Sequence, residues 1–232
     1  VYMKGKNTSN NRQLLIKVLI RFVLAIILIG LNFFLPAGSI KFWEAWVYMG
    51  ILFTPMIFVL IYLLKKDPEL LERRMKIKEK EEPQKVFVKL SILVFFIAFI
   101  IPGFDYRFEW SEVPFIVIII ADLFIFIGYL LFFLVLKENT YASRIIEVEI
   151  GQKVISTGPY AIIRHPMYVA VLTMYILSPL ALGSYWAVLA ILPLPILVIF
   201  RIRNEEKILI DKLPGYREYT QKVKYRLIPY IW

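Results

Sequence analysis

The feature that most constrains this chain is a series of long apolar runs. A helix needs about 20 apolar residues to cross a bilayer. Four runs come close to that length, at about Val18–Leu35, Trp43–Leu64, Val86–Ile101 and Val113–Leu136. A fifth block, Met167–Phe200, is too long for one crossing and is broken by the segment "SPLALGS", so we expect a hairpin of two helices. The sequence therefore predicts an all-α, polytopic membrane bundle of about six transmembrane helices.

Composition supports a membrane protein over a soluble domain. The chain is 59% hydrophobic, with a mean hydropathy of +0.68. The first apolar run is not followed by a small-residue cleavage site, and comparable runs come after it, so we do not expect a signal peptide. With no cysteine and a single histidine, the chain cannot form disulfides, thiolate zinc sites or multi-histidine metal sites. We expect no metal.

The distribution of positive charge predicts the orientation in the membrane. All 28 lysines and arginines except Lys41, Lys89 and Arg107 lie in the N-terminal segment, the second and fourth loops and the C-terminal tail. Because basic loops stay on the cytoplasmic side, both termini are expected to be cytoplasmic. This bias and attraction to anionic membrane lipids account for the net charge of +10, so nucleic acid is not an expected partner.

Two charged features inside or between the runs are open to interpretation. The mixed-charge segment "LKKDPELLERRMKIKEKEEPQK", residues 64–85, is typical of a solvated amphipathic helix on the membrane surface. Asp122 interrupts the fourth run, and a carboxylate inside a membrane suggests a function by default. A structural hydrogen bond from Asp122 to a tyrosine or to the backbone is an equally good explanation.

The remaining polar residues are concentrated in two segments, 137–168 and 201–230, which the hairpin brings to one face. We expect the loop before the hairpin to fold back as a cap on the membrane. The sixth helix is expected to continue through "RIRNEEKILIDKL" to Pro214-Gly215, and a second short helix to begin at Tyr216.

Each polar motif also has a structural explanation. His165 stands in "STGPYAIIRHPMY", where Arg164 could reach lipid headgroups while Pro166 begins the next helix. On the sixth helix, Arg201 and Glu205 are four residues apart and Arg203 and Glu206 are three apart. Such spacings are also typical of ordinary ion pairs at a helix end.

The motifs taken together are specific to one family. Gly-Pro-Tyr, Arg-His-Pro-x-Tyr, Arg-x-x-x-Glu-Glu and Pro-Gly-Tyr-x-x-Tyr follow one another between Asn139 and the C-terminus. In order and spacing this region resembles the isoprenylcysteine carboxyl methyltransferase family, including its prokaryotic relatives, and more loosely the membrane phospholipid methyltransferases. The first 138 residues match only as generic transmembrane helices. The resemblance implies a variable region, 1–138, that shapes the acceptor site, and a methyltransferase core, 139–232.

The resemblance implies S-adenosyl-L-methionine as the cofactor, bound by the C-terminal hairpin and the cytosolic cap. The residues implied to bind it are Gln152, Lys153, Val154, Ile155, Tyr160, His165, Pro166, Met167, Tyr168 and Glu205, the last at the amino-acid end of the cofactor. The chain contains no Gly-x-Gly, in agreement with a cofactor site that is not of the Rossmann type. One cofactor contact of the family, a glutamine, has no clear match, and Glu147 or Glu149 occupies its neighbourhood.

Arg201 is implied to orient a carboxylate of a prenylated or lipid-like acceptor. An ionised carboxylate needs no general base, whereas an amine acceptor would need a group to take its proton, for which Glu206 and neutral His165 are candidates. The expected protein is a multi-pass membrane methyltransferase, in the cell membrane if its source is prokaryotic, with its active site facing the cytosol.

Other functions fit the sequence less well. N-methylation of a phospholipid headgroup is the alternative reaction. Sterol reductases share a similar Arg-His-Pro-x-Tyr ending, but they are longer and have more crossings. A transporter would show helix breaks at corresponding positions of two halves, whereas Pro193 and Pro195 break only one helix and no repeat is visible.

Overall fold

The computed structural model is a bundle of α-helices. It describes residues 2–76, 79 and 81–232, and only the backbone of residues 2–12. The helices are α1 (Tyr2–Ala37), α2 (Trp43–Lys66), α3 (Pro68–Arg74), α4 (Glu82–Phe108), α5 (Phe115–Glu138), α6 (Pro166–Ala181), α7 (Tyr185–Ile191), α8 (Pro193–Lys212) and α9 (Tyr216–Lys222). A 3₁₀ turn, Gly158–Ala161, precedes α6. No strand occurs within the described residues, and the all-α prediction is confirmed.

Five helical segments are long and apolar enough to cross a membrane. They are Gln13–Ala37, Trp43–Lys66, Glu82–Phe108, Phe115–Glu138 and Tyr185–Lys212. Large apolar side chains such as Leu28, Phe58 and Phe115 are exposed on their outer faces, as expected for helices surrounded by lipid. The remaining predicted crossing, α6, has 16 residues and is therefore about 24 Å long, less than the ~30 Å of bilayer hydrocarbon. The polytopic helical bundle is confirmed, with a shorter sixth helix.

Glycines allow two pairs of helices to approach closely. A Cβ atom on Gly128 of α5 would lie 2.8 Å from Met174 Cγ and 3.3 Å from the Ala170 carbonyl oxygen, both in α6. A Cβ atom on Gly103 of α4 would lie 2.6 Å from the Phe33 carbonyl oxygen of α1. Since apolar helices gain little from burial in lipid, such close packing is a main source of their association. It fixes α5 against α6, whose N-terminus carries the Arg-His-Pro motif.

A polar cluster closes the end of the bundle remote from that motif. Helix α6 ends at Ala181, Gly183 adopts a left-handed φ of +69°, and Ser184 caps α7 by accepting a hydrogen bond from the Ala187 N–H. Asp105, at the end of α4, accepts hydrogen bonds from the backbone N–H and hydroxyl of Ser111, both at 2.7 Å, and from the Ser184 hydroxyl. The predicted break of the apolar block into a hairpin is thereby confirmed.

The segment 64–85 differs from the solvated surface helix that we expected. Asp67 caps α3 by accepting from the Leu70 N–H at 2.9 Å, but the helix is short. Leu70 and Leu71 are buried against α2 and the end of α5, and beyond α3 both Glu79 and Gln84 are buried. Residues 77, 78 and 80 of this prediction lie outside the described part of the chain. The segment packs into the bundle because its leucines continue the apolar surface of α2.

The expected hydrogen bond of Asp122 is absent. Asp122 is 4% exposed, and neither of its carboxylate oxygens has a partner among the described residues. The structural explanation offered by the sequence is therefore wrong for this residue.

The close contact at Gly103 gives a test of the packing. We expect Gly103→Ala to destabilise the protein by about 1–3 kcal/mol, because the new methyl group meets the backbone of α1 and the helices must separate. Gly50→Ala in α2 is the matched control, since a Cβ atom there has no neighbour within 4 Å and alanine favours helix. Thermal unfolding in detergent measures both, and equal melting temperatures for the two variants would contradict the packing argument.

Candidate active site

A cavity of about 350 Å³ lies where α6 begins and the apolar part of α8 ends. Its walls come from the end of α3 and the segment after it, α4, the loop between α5 and α6, the first three turns of α6, α8 and α9. The volume falls within the range of about 300–1,000 Å³ that is usual for small-molecule sites.

The structure brings most of the predicted site residues to this cavity. Those that line it are Gln152, Lys153, Val154, Ile155, Tyr160, His165, Met167, Tyr168, Arg201 and Glu205. Pro166 begins α6 as predicted but is not part of the wall, and Glu206 is not part of it either. The segments 152–168 and 201–205 therefore converge, while the roles of the individual residues stay predictions.

Tyr168 joins the two charged residues of α8. Its hydroxyl donates to Glu205 Oε2 at 2.7 Å and accepts from Arg201 Nε at 2.9 Å. Since Pro166 occupies the first turn of α6, Tyr168 stands at the start of that helix, facing α8. Arg201 and Glu205 are thus linked through a phenol, and the ordinary helix-end ion pair considered from the spacing is not formed within the described structure.

Arg201 is buried and its other donors are engaged by distant parts of the chain. Nη1 donates to Gln84 Oε1 at 3.0 Å, and Nη2 donates to Glu79 Oε1 and to the Arg144 carbonyl oxygen, both at 2.9 Å. The guanidinium also lies 4.7 Å from the ring centroid of Phe87. A buried guanidinium requires this degree of pairing.

Glu79 and Gln84 are site residues that the sequence did not identify. They stand in a stretch rich in glutamate and lysine, and no local pattern separates Glu79 from Glu81 or Glu82. Only the fold, which places this stretch against Arg201, distinguishes them.

Glu206 sits behind the cavity at the centre of an ionic cluster. Its carboxylate accepts from Arg164 Nε at 2.6 Å, from Arg226 Nε at 2.7 Å and from His165 Nε2 at 3.3 Å. Because a carboxylate can only accept here, His165 carries a proton on Nε2, and in its neutral form Nδ1 is the acceptor. Surrounded by these donors and outside the cavity wall, Glu206 is poorly placed to take a proton from an acceptor, and its geometry is that of a positioning residue.

Arg164 does not reach toward lipid headgroups. It is 7% exposed, and its Nη1 donates to the carbonyl oxygens of Val223 and Lys224 at 2.8 and 2.9 Å. The proposed membrane anchor is therefore wrong, and Arg164 instead fastens the C-terminal tail to the start of α6.

The Gly-Pro-Tyr turn and α9 form an aromatic part of the cavity wall. The Tyr160 hydroxyl accepts from Asn139 Nδ2 at 2.9 Å, and its carbonyl oxygen accepts from the Tyr219 hydroxyl at 2.7 Å. Burial raises the pKa of Tyr160 to about 12, so the phenol stays protonated at neutral pH. The nearby Tyr216 hydroxyl is buried and has no partner within the described residues, which leaves a polar group available to a ligand.

The position left open by the resemblance is occupied by an ion pair. Lys76 contacts Glu147 at 2.5 Å and Glu149 at 3.4 Å, and the hydrogen bond to Glu147 raises the pKa of Lys76. Of the two carboxylates, only Glu147 lines the cavity.

Comparison with known proteins accords with this geometry. Residues 117–211 match the sequence model of the isoprenylcysteine carboxyl methyltransferase (ICMT) family. The match shows that this segment of the chain is similar to the ICMT family. It extends from α5 to the end of α8 and contains every predicted site residue, so the resemblance drawn from the motifs is confirmed. No curated protein matches the chain. The five long apolar helices support an integral, multi-pass membrane protein, and the ICMT-like segment supports a methyltransferase.

The two adjacent glutamates of the ICMT segment are expected to differ in their effect on stability. Glu206→Gln leaves the buried Arg164 and the partly exposed Arg226 without a counter-charge, and we expect a loss of about 3 kcal/mol. Glu205→Gln keeps an oxygen that can accept from Tyr168, so we expect a loss below about 1 kcal/mol. Thermal unfolding of both variants in one detergent checks this, and an equal loss would argue against Glu206 as the structural centre.

Proposed function

We propose that this protein is an S-adenosyl-L-methionine-dependent methyltransferase that methylates the carboxylate of a lipid-like or prenylated acceptor. The observation that carries the proposal is the array of Glu205, Tyr168 and Arg201 in the wall of a cavity formed by the ICMT segment. A carboxylate, a phenol and a guanidinium in series offer complementary groups to a cofactor with a charged amino-acid end and to an anionic acceptor.

The residues around the cavity fit the cofactor implied by the family. Glu205 is available to an ammonium group, because a phenol is its only hydrogen-bond donor in the described structure. Val154, Leu209 and Leu213 with the unpartnered Tyr216 supply an apolar and aromatic region suited to a purine. The backbone of Val154 and Ile155 makes no hydrogen bond within the described chain and is free to pair with one. When bound, the cofactor supplies a methyl group already activated on a sulfonium.

The protein's own part is to position the acceptor and exclude water. Arg201 already holds the carboxylate of Glu79, so this position accommodates a carboxylate beside the guanidinium. We infer that an acceptor carboxylate exchanges with Glu79 there. Such an acceptor is ionised at neutral pH and gives up no proton, and Glu206, which lies outside the cavity, is not needed as a base.

An apolar part of the cavity suits the hydrocarbon of the acceptor. Beyond Arg201 the wall consists of side chains of α4 and α8, among them Phe95, Leu194 and Val198. Ile92 lines the cavity and is also 62% exposed on the outer face of α4, where lipid surrounds the bundle. This supports lateral access from the bilayer. We infer that α4, from the first 138 residues, contributes to the acceptor side and that the loop before α6, from residues 139–232, contributes to the cofactor side.

We place the active site on the cytosolic face of a cell membrane. The basic residues in the N-terminal half of α1, after α2 and after the apolar part of α8 favour this orientation. Cofactor then reaches the cavity from the cytosol, and acceptor from the membrane.

Calorimetric titration of the purified protein with S-adenosylhomocysteine tests the cofactor assignment. We expect the wild type to bind, and His165→Ala and Glu205→Ala each to weaken binding at least about tenfold because each removes a polar contact from the cavity wall. Asp211→Ala, an exposed carboxylate on the same helix, is the control and should bind normally. No binding by the wild type, or unaltered binding by both variants, would overturn the assignment.

Methyl transfer from labelled cofactor tests the acceptor. We expect N-acetyl-S-farnesyl-L-cysteine to be labelled at its carboxylate and phosphatidylethanolamine vesicles to remain unlabelled. Arg201→Ala should lower transfer at least about 100-fold while S-adenosylhomocysteine affinity stays within a few-fold, because the guanidinium orients the acceptor. Arg203→Ala, exposed on the same helix, is the control. Labelling of the lipid amine by both the wild type and Arg201→Ala would support N-methylation instead.

A further inference from the structure

Two arginines in the cavity wall have no acidic partner. Arg74, the last residue of α3, is half-buried; its Nη1 donates to the Ala142 carbonyl oxygen at 2.9 Å, and its guanidinium lies 5.0 Å from the ring centroid of Phe132. Arg144, in the loop after α5, lines the same cavity and is exposed. No carboxylate of the described residues lies within ion-pair distance of either arginine.

The other charges around the cavity are mostly paired. Arg201 binds Glu79, Arg164 binds Glu206, and Glu147 binds Lys76. Within the described structure this leaves Glu205, which has only the Tyr168 hydroxyl, as a carboxylate without a cation. The cavity therefore presents one uncompensated negative group and, with Lys153, three uncompensated positive ones.

The positive charges of Arg74 and Arg144 repel each other. Burial, together with the like charge of Arg144, lowers the pKa of Arg74 to about 10, so Arg74 remains charged at neutral pH at an energetic cost. An anion between the two would remove that cost. Arg74 and Glu205 line the same cavity, and both act on the phenol of Tyr160, whose pKa Glu205 raises and Arg74 lowers. The unpaired charges of opposite sign therefore line one cavity together with that phenol.

We propose that Arg74 and Arg144 bind the α-carboxylate of the cofactor's amino-acid end, beside Glu205, which binds its ammonium group. The inference rests on the proposed function and extends it, since a zwitterionic amino acid needs both signs of charge and the resemblance supplied only Glu205. Arg74 lies in α3, outside the residues that match the ICMT family. Cofactor binding then depends on the variable first part of the chain, whose α3 contributes half of the carboxylate subsite.

The carboxylate of the acceptor could bind the same arginines, so the experiment distinguishes the acceptor's carboxylate from that of the cofactor. Calorimetry compares S-adenosylhomocysteine with 5′-methylthioadenosine, which keeps the adenosine and the thioether but lacks the amino acid. The variants are Arg74→Gln, Arg144→Gln and the double variant. Arg73→Gln is the matched control, because Arg73 is the preceding residue of α3 and does not line the cavity.

We expect S-adenosylhomocysteine to bind about 10- to 100-fold more weakly to Arg74→Gln and more weakly still to the double variant. Affinity for 5′-methylthioadenosine should stay within twofold in every variant, which also shows that each one is folded. Arg73→Gln should bind both compounds like the wild type.

Other outcomes would overturn the inference in distinguishable ways. An equal loss for both compounds would mean that the arginines maintain the cavity and do not bind a carboxylate. Unchanged cofactor affinity with reduced transfer to an anionic acceptor would assign the arginines to the acceptor. Failure of the wild type to bind S-adenosylhomocysteine would contradict the proposed function itself.

Discussion

The interaction on which the site depends is the buried cluster around Glu206. Its carboxylate holds Arg164 and His165 at the start of α6 and Arg226 in the tail. Two segments, the start of α6 and the C-terminal tail, are thereby fixed to α8 by one side chain. In the membrane, apolar burial contributes little to the association of helices. A hydrogen-bonded ionic cluster at the polar end of the bundle therefore supplies specificity that burial does not. Tyr168, three residues after His165, is consequently held against α8.

The second constraint is that Arg201 must be neutralised where it is buried. Glu205, the carboxylate nearest to Arg201 along the sequence, binds Tyr168. The charge of Arg201 is balanced instead by Glu79, from the segment between α3 and α4. This pairing draws the first part of the chain over the cavity, where Arg73 and Arg74 also donate to carbonyl oxygens of the loop after α5. The region without recognisable motifs therefore completes a site whose motifs are all in the C-terminal part.

The sequence predicted those features that depend on local pattern. Apolar run length located the long helices, proline and glycine located the start of α6 and the end of α8, and the ordered motifs between Asn139 and Tyr219 identified the convergent segments. It did not predict the partners of charged residues. Arg164 was expected at the lipid surface and Arg201 beside Glu205, yet their partners are Glu206 and Glu79, 42 and 122 residues away. A long, flexible arginine side chain can reach many carboxylates, and the packing of the helices determines which of them it contacts.

The cavity also has a polar side and an apolar side. At Arg201 the cavity has carboxylates, phenols and backbone groups on one side, and on the other the apolar side chains of α4 and α8. A reactive group placed there has its polar part among hydrogen-bonding groups and its hydrocarbon among helices that face lipid. Because Arg201 is itself screened from water, its attraction for a carboxylate is stronger than at a surface, and the same screening makes an empty guanidinium costly. Glu79 supplies the charge and hydrogen bond that Arg201 requires. An acceptor carboxylate can replace Glu79 only if it offers an equivalent charge and equivalent hydrogen bonds.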